Sequence, residues 1–463
     1  MMCLGWIATP LLASAVAVSA PQEAICLGSR LELFVDDYLL DALHGEAHFV
    51  LHKPEPEEVV LITDKPWEGN TCAYYTIFQD GDVYRLYYRG SHFDTEKKKF
   101  AHPEVVCYAE SRDGIHWVRP ELGLFEFAGS KTNNIVWSGN FTHNFTPFKD
   151  GNPACKPTAQ YKALASGNGA GGFGLRAFQS PDGIHWSLMR EEPVITNGAF
   201  DSQNLAFWDP VRGEYRAYWR IFKEGVRDIR TATSKDFLNW SECTDLDYGD
   251  APKEHLYTNA ILPYPRAPHL FIGFPTRFLP QTEQVEPELM TSRDGCHFHR
   301  WTDPVIPMTA PADRDGNRSN YLAWGMVQLP GDDRHYSLYA TEAYYTGPAS
   351  RLRRFTYRVD GFVSLSAGNG GGEVITRPLT FAGAKLILNF TTQERGELRV
   401  EIQDASGAAL RGYTLNDCFK MRGDEIADAV RWRRGTDVSS LAGRSVRLRF
   451  VMRNADLYSF QFR

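Results

Sequence analysis

The sequence predicts an all-β protein, a five-bladed β-propeller followed by a smaller C-terminal β-sandwich. Three observations predict it. First, a short string recurs: SRDGIHW at 111–117, SPDGIHW at 180–186, SKDFLNW at 234–240 and SRDGCHF at 292–298, with a degenerate fifth copy, YRVDGFVS, at 357–364. The four clear copies start 69, 54 and 58 residues apart, a spacing that makes each unit one supersecondary module. Second, each copy follows the same succession of short runs rich in Tyr, Val and Ile. In the first unit these are TCAYYTIFQ, a turn DGD, VYRLYYRG and then VVCYAESRDGIHW. Asp-Gly between such runs marks hairpins, so each unit reads as four antiparallel strands. Third, the texture changes after Leu365: a Gly-rich joint at 367–372 leads into alternating runs such as GELRVEIQDA and RSVRLRFVMRNADLYSFQF.

The elements follow in order. Residues 4–20 are apolar and small and end in Val18-Ser19-Ala20, the small-x-small pattern of a signal peptide occupying 1–20, with cleavage as late as residue 24 as the alternative. The run is too short to span a bilayer, so export and a secreted or periplasmic location are expected, without a stable membrane span. The propeller is expected over 27–366, with the segment 27–62 adding an N-terminal strand that packs onto it. The sandwich is expected over 373–463. In each blade the Ser-x-Asp-Gly-x-x-Trp string reads as structural: Ser and Asp tie the outer turn and Trp fills the wedge between blades.

Composition narrows the partners. Lys+Arg 50 against Asp+Glu 57 gives a net charge of -7 with no basic run, which excludes a nucleic-acid footprint. Aromatic residues make up 13%, with Trp 11, Tyr 21 and Phe 28. Flat rings in that number suit β-structure and also suit carbohydrate. The eight cysteines show no CxxC spacing and read as scattered thiols. No cofactor is expected; no acidic cluster specifies Ca²⁺, and a central divalent ion stays open.

In a propeller the first strand of each blade lines the axis, so the start of strand one and the end of strand two share a face. The first position offers Glu68 with Asn70, Asn144, Asp201 with Gln203 and Asn204, Glu254 with His255, and Arg318 with Asn320. The second offers Arg89 with His92, Ser166, Arg220, Arg277 and Glu342. Buried charge is costly unless paired or used, so these residues form either braces between blades or a polar binding funnel. Trp67, Trp208, Trp219, Tyr257 and Trp324 are candidate stacking platforms or wedge fillers.

Five blades, acids at strand-one starts and Ser-x-Asp-Gly-x-x-Trp hairpins resemble the five-bladed propeller glycoside hydrolases, the group that includes families 32, 43, 68, 117 and 130. The resemblance covers roughly 67–365, and the trailing domain is similar to the C-terminal sandwich of family 32. It implies a glycosidase with acids drawn from different blades. Asp201 in FDSQN matches the middle Asp, Glu254 in KEHLYTN the proton donor, and Glu68 in PWEGN the first-blade acid, with Asp64 as its rival. Arg89, Arg220, Arg277, His255, Gln203, Asn204, Glu342 and Asn320 would bind substrate. The family 32 strings around the nucleophile and its Arg-Asp-Pro are missing, which removes support for fructosidase activity. Three arginines suit carboxylate or sulfate, so an anionic polysaccharide is expected. A glycoside phosphorylase, a non-catalytic glycan-binding propeller and a polysaccharide lyase are the alternatives.

Overall fold

A computed structural model describes residues 23–308 and 319–463. Blade one contains Thr76–Asp80, Val83–Gly90, Val105–Ser111 and Ile135–Ser138; blade two contains His143–Lys149, Tyr161–Gly169, Gly172–Ser180 and Ser187–Leu188. Blade three contains Leu205–Asp209, Glu214–Lys223, Val226–Ser234 and Thr244–Asp245, and blade four contains Leu262–Tyr264, Ala267–Gly273, Leu289–Ser292 and Phe298–Trp301. All are antiparallel meanders, innermost strand first. Blade four carries an extra hairpin, Thr276–Leu279 with Gln284–Pro287, to which His255–Leu256 is added.

Blade five departs from the expected grammar. Its inner edge pairs through Leu322 with Ala340 and Val327 with Ser337, followed by His335–Glu342 and Arg351–Arg358. The outer strand, however, is Glu55–Ile62, brought from the N-terminal segment. Charge explains the choice: Glu58 receives a hydrogen bond from Arg354 at 2.9 Å, and Glu57 lies 3.7 Å from the same guanidinium. The stretch after the degenerate repeat, Val363–Ala367, pairs instead with His48–Leu51 and with the last strand of the chain. The expected fourth strand of blade five is therefore a strand of the sandwich.

The repeated string closes the ring. In the first copy the Ser111 hydroxyl accepts from the Gly114 N–H at 2.9 Å, and Asp113 Oδ1 accepts from the N–H groups of Ile115 and His116. The same bonds recur around Asp182 and Asp294. Gly114 has φ +73°, and a Cβ there would meet Leu329 at 2.4 Å; the turn needs glycine for both reasons. The freed glycine carbonyl then accepts a tyrosine hydroxyl from the neighbouring blade: Tyr87 to Gly183, Tyr218 to Gly295 and Tyr339 to Gly114, at 2.7–2.8 Å. Trp117 and Trp186 pack edge-on against Tyr339 and Tyr87 in the same wedges. Blades two and three are joined by Tyr215 donating to Asp150, and blades four and five by Trp324 donating to Ile261 O.

The segment expected to pack onto the propeller is divided between the domains. Ile25–Gly28, Glu32–Leu33, Leu40–Gly45 and His48–Leu51 all pair with C-terminal strands. That layered domain is organised around a long antiparallel strand pair, Leu386–Asp404 against Val446–Phe462, over a core that includes Phe34, Phe390, Val400, Trp432, Phe450 and Phe460. Asp360 of the degenerate repeat is buried at the joint, accepting from Tyr264 of blade four and Ser459 of the sandwich at 2.6 Å each. Arg293 ties the N-terminal segment to blade four through Glu32 and Asp36. No helix among the described residues is long and apolar enough to cross a membrane. The expected signal segment and Arg318 lie outside the described residues. The seven described cysteines are unbridged; Cys72, Cys107 and Cys418 are buried, whereas Cys26 and Cys243 are exposed.

Candidate active site

One face of the ring carries a connected polar cluster whose members come from different blades. Asp201 sits on the turn just before the inner strand of blade three. The turn is pinned from both sides: Asn144 of blade two donates to Ser202 O at 2.8 Å, and the Ser202 hydroxyl donates to Tyr257 O at 2.6 Å. Asn204 Nδ2 closes the turn on Phe200 O and Ser202 O. Gln203 points the other way and donates across the axis to Tyr75 O of blade one at 3.0 Å. Gln203 and Asn204 are buried and shape the floor beneath Asp201.

The Asp201 side chain is 63% exposed. One carboxylate oxygen lies 3.2 Å from His143 Nε2 and the other accepts from the Tyr257 hydroxyl at 3.2 Å. Arg220 Nη2 stands 4.0 Å away. The other ring nitrogen of His143 lies 2.9 Å from Glu104, and Glu104 faces Arg89 at 3.5 Å. Arg89 is buried, stacks on Tyr74, and donates to Thr71 O and the Tyr344 hydroxyl. Tyr74, Tyr257 and Tyr344 each contact the ring of Tyr321 at 5.7–5.8 Å around this mouth. Backbone strain gathers here: Tyr74, Asn144, Ala260, Ala343 and Tyr345 all have positive φ between 42° and 58°, a concentration typical of functional sites.

The electrostatics are specific. The hydrogen bond from His143 holds Asp201 down at about 2, against the opposing effect of its partial burial, with Arg220 assisting. Burial works against ionised Glu104, but His143 and Arg89 outweigh it and keep its carboxyl below the usual range. Burial also works against protonated His143, and the carboxylates on either side outweigh that and raise it. The result is a carboxylate–imidazole–carboxylate row. Asp201 is the ionised, solvent-facing end, and His143 holds a proton at higher pH than a free imidazole would.

The other expected acids lie elsewhere. Glu68 has no exposed side-chain surface; it accepts from Tyr88 at 2.5 Å and from Arg119 at 2.8 and 3.0 Å, and contacts no residue of the Asp201 cluster. Its rival Asp64 is exposed and lies 3.6 Å from both Lys65 and Arg119. Glu254 is 27% exposed and held by Arg277 and Arg300, beside Glu286 and Glu288. It lines a cleft of about 400 Å³ between blades three and four together with Asp228, Tyr248 and Lys253. Arg277 belongs to the extra hairpin of blade four, which turns it toward these glutamates. Behind it, burial pushes Glu288 up to about 7 despite Arg300 and Arg277.

The remaining assignments divide in the same way. Arg89 and Arg220 are in the mouth. His255 is at its rim, with Nδ1 3.2 Å from the Arg227 backbone N. Glu342 is buried and accepts from Arg353 at 2.5 Å, and Asn320 donates to Pro307 O; both brace the fold around blade five. Among the platform candidates, Tyr257 reaches the mouth. Trp219 is in the core of blade three, Trp67 donates to Asn134 within blade one, and Trp208 and Trp324 line a cavity of about 300 Å³ among the other ends of the inner strands.

Sequence reasoning missed His143 and Glu104. His143 precedes Asn144, a residue already singled out at the right position. Glu104 precedes Val105, where strand three begins. In an antiparallel meander strand three starts on the same face as strand one, so a third position in each blade was available to read. Among the described residues no group of three or more His, Cys, Asp or Glu side chains is arranged to hold a metal ion.

No family model matches the chain. It is similar to a levanase of Bacillus sp. (strain L7), 26% identical over 257 residues, which cover 49% of this chain and 27% of the levanase. It is also similar to an uncharacterized Mycobacterium tuberculosis protein (strain ATCC 25618 / H37Rv), 25% identical over 144 residues, 30% of this chain and 41% of that one. The chain thus matches less than half the length of these curated relatives. Among solved structures, a β-1,2-mannobiose phosphorylase from Listeria innocua aligns over 66% of this chain and 96% of its own, with a TM-score of 0.47 and 13% identity.

Proposed function

We propose that the protein is a carbohydrate-active enzyme that cleaves a glycosidic bond in the five-blade mouth, and that its substrate is an anionic oligo- or polysaccharide. The observation that carries this reading is the exposed Asp201 carboxylate, fixed by His143, Arg220 and Tyr257 within a wall of tyrosines. The resemblance to propeller glycosidases and the levanase similarity support it.

The chemistry follows from the charge states. Breaking the glycosidic C–O bond needs a proton on the leaving oxygen and an electron pair at the anomeric carbon. Asp201 stays ionised through the neutral range. It serves as the group that removes a proton from an attacking water or stabilises the positive charge developing on the sugar. His143 carries the transferable proton, and Glu104 on its far side orients the ring and keeps it charged. Water supplies oxygen to the anomeric carbon and its proton passes to Asp201; the His143 Nε2–H, until then donated to that carboxylate, is released and leaves with the departing hydroxyl as the C–O bond breaks. With export expected from residues 4–20, the substrate would lie outside the cytoplasm.

Reducing-end release from a broad polysaccharide panel, with Asp201→Asn alongside, tests the reading; cleavage by the parent and none by the variant is the expected result. Equal cleavage by both removes Asp201 from the mechanism. A second reading, a glycan-binding propeller without catalysis, is favoured by one observation: Asp201 and Glu104 are both held down, so neither carboxyl group is set as an acid. Glycan binding without any product across the panel would decide for it.

A further inference from the structure

Three arginines suggested an anionic substrate from sequence, and their surroundings now separate them. Arg89 is occupied by Thr71 O, the Tyr344 hydroxyl, Asn144 and Glu104. Arg277 is occupied by Glu254, Glu286 and Glu288. Arg220 is not so matched: Nε donates to Ala199 O at 3.0 Å, Nη2 stands off from Asp201 at 4.0 Å, and Nη1 has no hydrogen-bond partner.

A fourth arginine, absent from the sequence reading, lies beside it. Arg227 stacks on the same two rings as Arg220. Their guanidinium carbons are 5.1 and 4.6 Å from the Tyr257 centroid and 5.5 and 5.4 Å from that of Phe222. Phe278 covers Arg227 at 4.4 Å, and its Nε is buried without a partner. Among the described residues no carboxylate reaches salt-bridge distance of Arg227; its polar contact is His255 Nδ1 at 3.3 Å. Two guanidinium groups therefore share one phenol ring, and among the described residues the one carboxylate within 4.0 Å of either is Asp201, beside Arg220. Like charges held together beside aromatic carbon repel, and a second anion relieves that repulsion.

We propose that Arg220, Tyr257 and Arg227 form an anion subsite at the edge of the mouth, which takes the carboxylate or sulfate of an acidic sugar unit next to Asp201. The proposal rests on the reading of the mouth as a carbohydrate site and adds which group of the sugar is recognised and by which residues. Tyr257 is then no sugar platform. Its ring serves the guanidinium groups and its hydroxyl serves Asp201.

The test is calorimetric binding to the full chain, with a uronic-acid oligosaccharide, its uncharged methyl ester, a sulfated oligosaccharide and inorganic phosphate as the probes. The parent is expected to prefer the acid over the ester by about tenfold, the scale of one charge-assisted hydrogen bond, and to lose that preference as salt rises. Arg227→Gln, at a partly exposed position, should abolish the preference while leaving the ester's affinity in place. Arg220→Gln, which also removes the guanidinium beside Asp201, should lose the preference and weaken both probes, and Arg227→Gln carries the test if that buried substitution impairs folding. Equal binding of acid, sulfated sugar and ester by the parent overturns the subsite, as does an Arg227→Gln loss common to acid and ester. Phosphate that displaces the acid and drives bond cleavage would make the anion a free co-substrate and overturn the sugar-borne version. Acid preference without cleavage of any glycan would leave the subsite standing and remove the catalytic reading; cleavage without acid preference would do the reverse.

Discussion

Asp201 and Glu68 occupy corresponding places, each just ahead of an inner strand, yet they do opposite work. Asp201 keeps 63% of its side chain in solvent with its nearest guanidinium at 4.0 Å, whereas Glu68 keeps none, closed between Arg119 and Tyr88. Glu254 falls between them, 27% exposed but clamped by Arg277 and Arg300. The difference teaches that position in the repeat does not by itself put an acid in the mouth or leave it free. What decides is whether a guanidinium group stands close enough to clamp it: 2.8 Å from Glu68, 3.0 Å from Glu254, 4.0 Å from Asp201.

That contrast can be broken or sharpened by experiment. The largest effect is expected at Asp201: Asp201→Asn should lower turnover by about 10²–10⁴-fold, the scale of a lost catalytic proton-transfer group, with little change in unfolding midpoint. A matching collapse of stability would move Asp201 into the bracing class. Glu68→Gln should behave in the opposite sense. It leaves Arg119 without its buried partner and should cost about 3 kcal/mol in urea unfolding; a loss of turnover at parental stability would return Glu68 to the site.

A pH-dependent effect is expected behind Glu254. Glu288 titrates at about 7 in the fold against an ordinary 4.5 because of burial. The folded state therefore holds its proton more tightly than the unfolded chain. Stability linked to this group is complete below 4.5 and is lost as pH rises from 4.5 through 7. Glu288→Gln should flatten that slope, gaining on the order of 1–3 kcal/mol relative to the parent at pH 8. An unchanged slope across that window would show that Arg277 and Arg300 neutralise Glu288 fully.

The smallest effect is expected at Glu104. Because Asp201 and Glu104 raise His143 against burial, Glu104→Gln should shift the alkaline limb of the pH–rate profile downward by roughly one unit or less. The stabilising contribution of His143 is present at low pH and fades as pH rises through its raised value. That of Asp201 is present above 3.8 and fades as pH falls toward about 2. An upward movement of the alkaline limb would mean that a different group carries the proton.

Much of the architecture was legible because its signals are local. The Ser-x-Asp-Gly string bonds to its own backbone within a few residues, so it marks each outer turn wherever it occurs. The fifth blade was misread for the same reason. YRVDGFVS imitates the string, yet Asp360 is buried among Tyr264, Ser459 and Asn389 instead of tying a turn to solvent. The strand that completes blade five lies almost 300 residues earlier, where Glu57 and Glu58 meet Arg353 and Arg354. Charge complementarity was visible in EPEE and RLRR, but nothing local said that they pair.

By itself, the sequence determined the all-β class, the number of blades and the outer turns, because strand alternation and turn chemistry act over a few residues. Only the tertiary structure decided that Asp201 is joined to His143 and Glu104, that Glu68 and Glu254 are clamped, and that Arg227 stands beside Arg220. Each of these depends on side chains from different strands or blades reaching one another through space, and on how much water remains around them. Distance and burial, not residue type, separate a brace from a site.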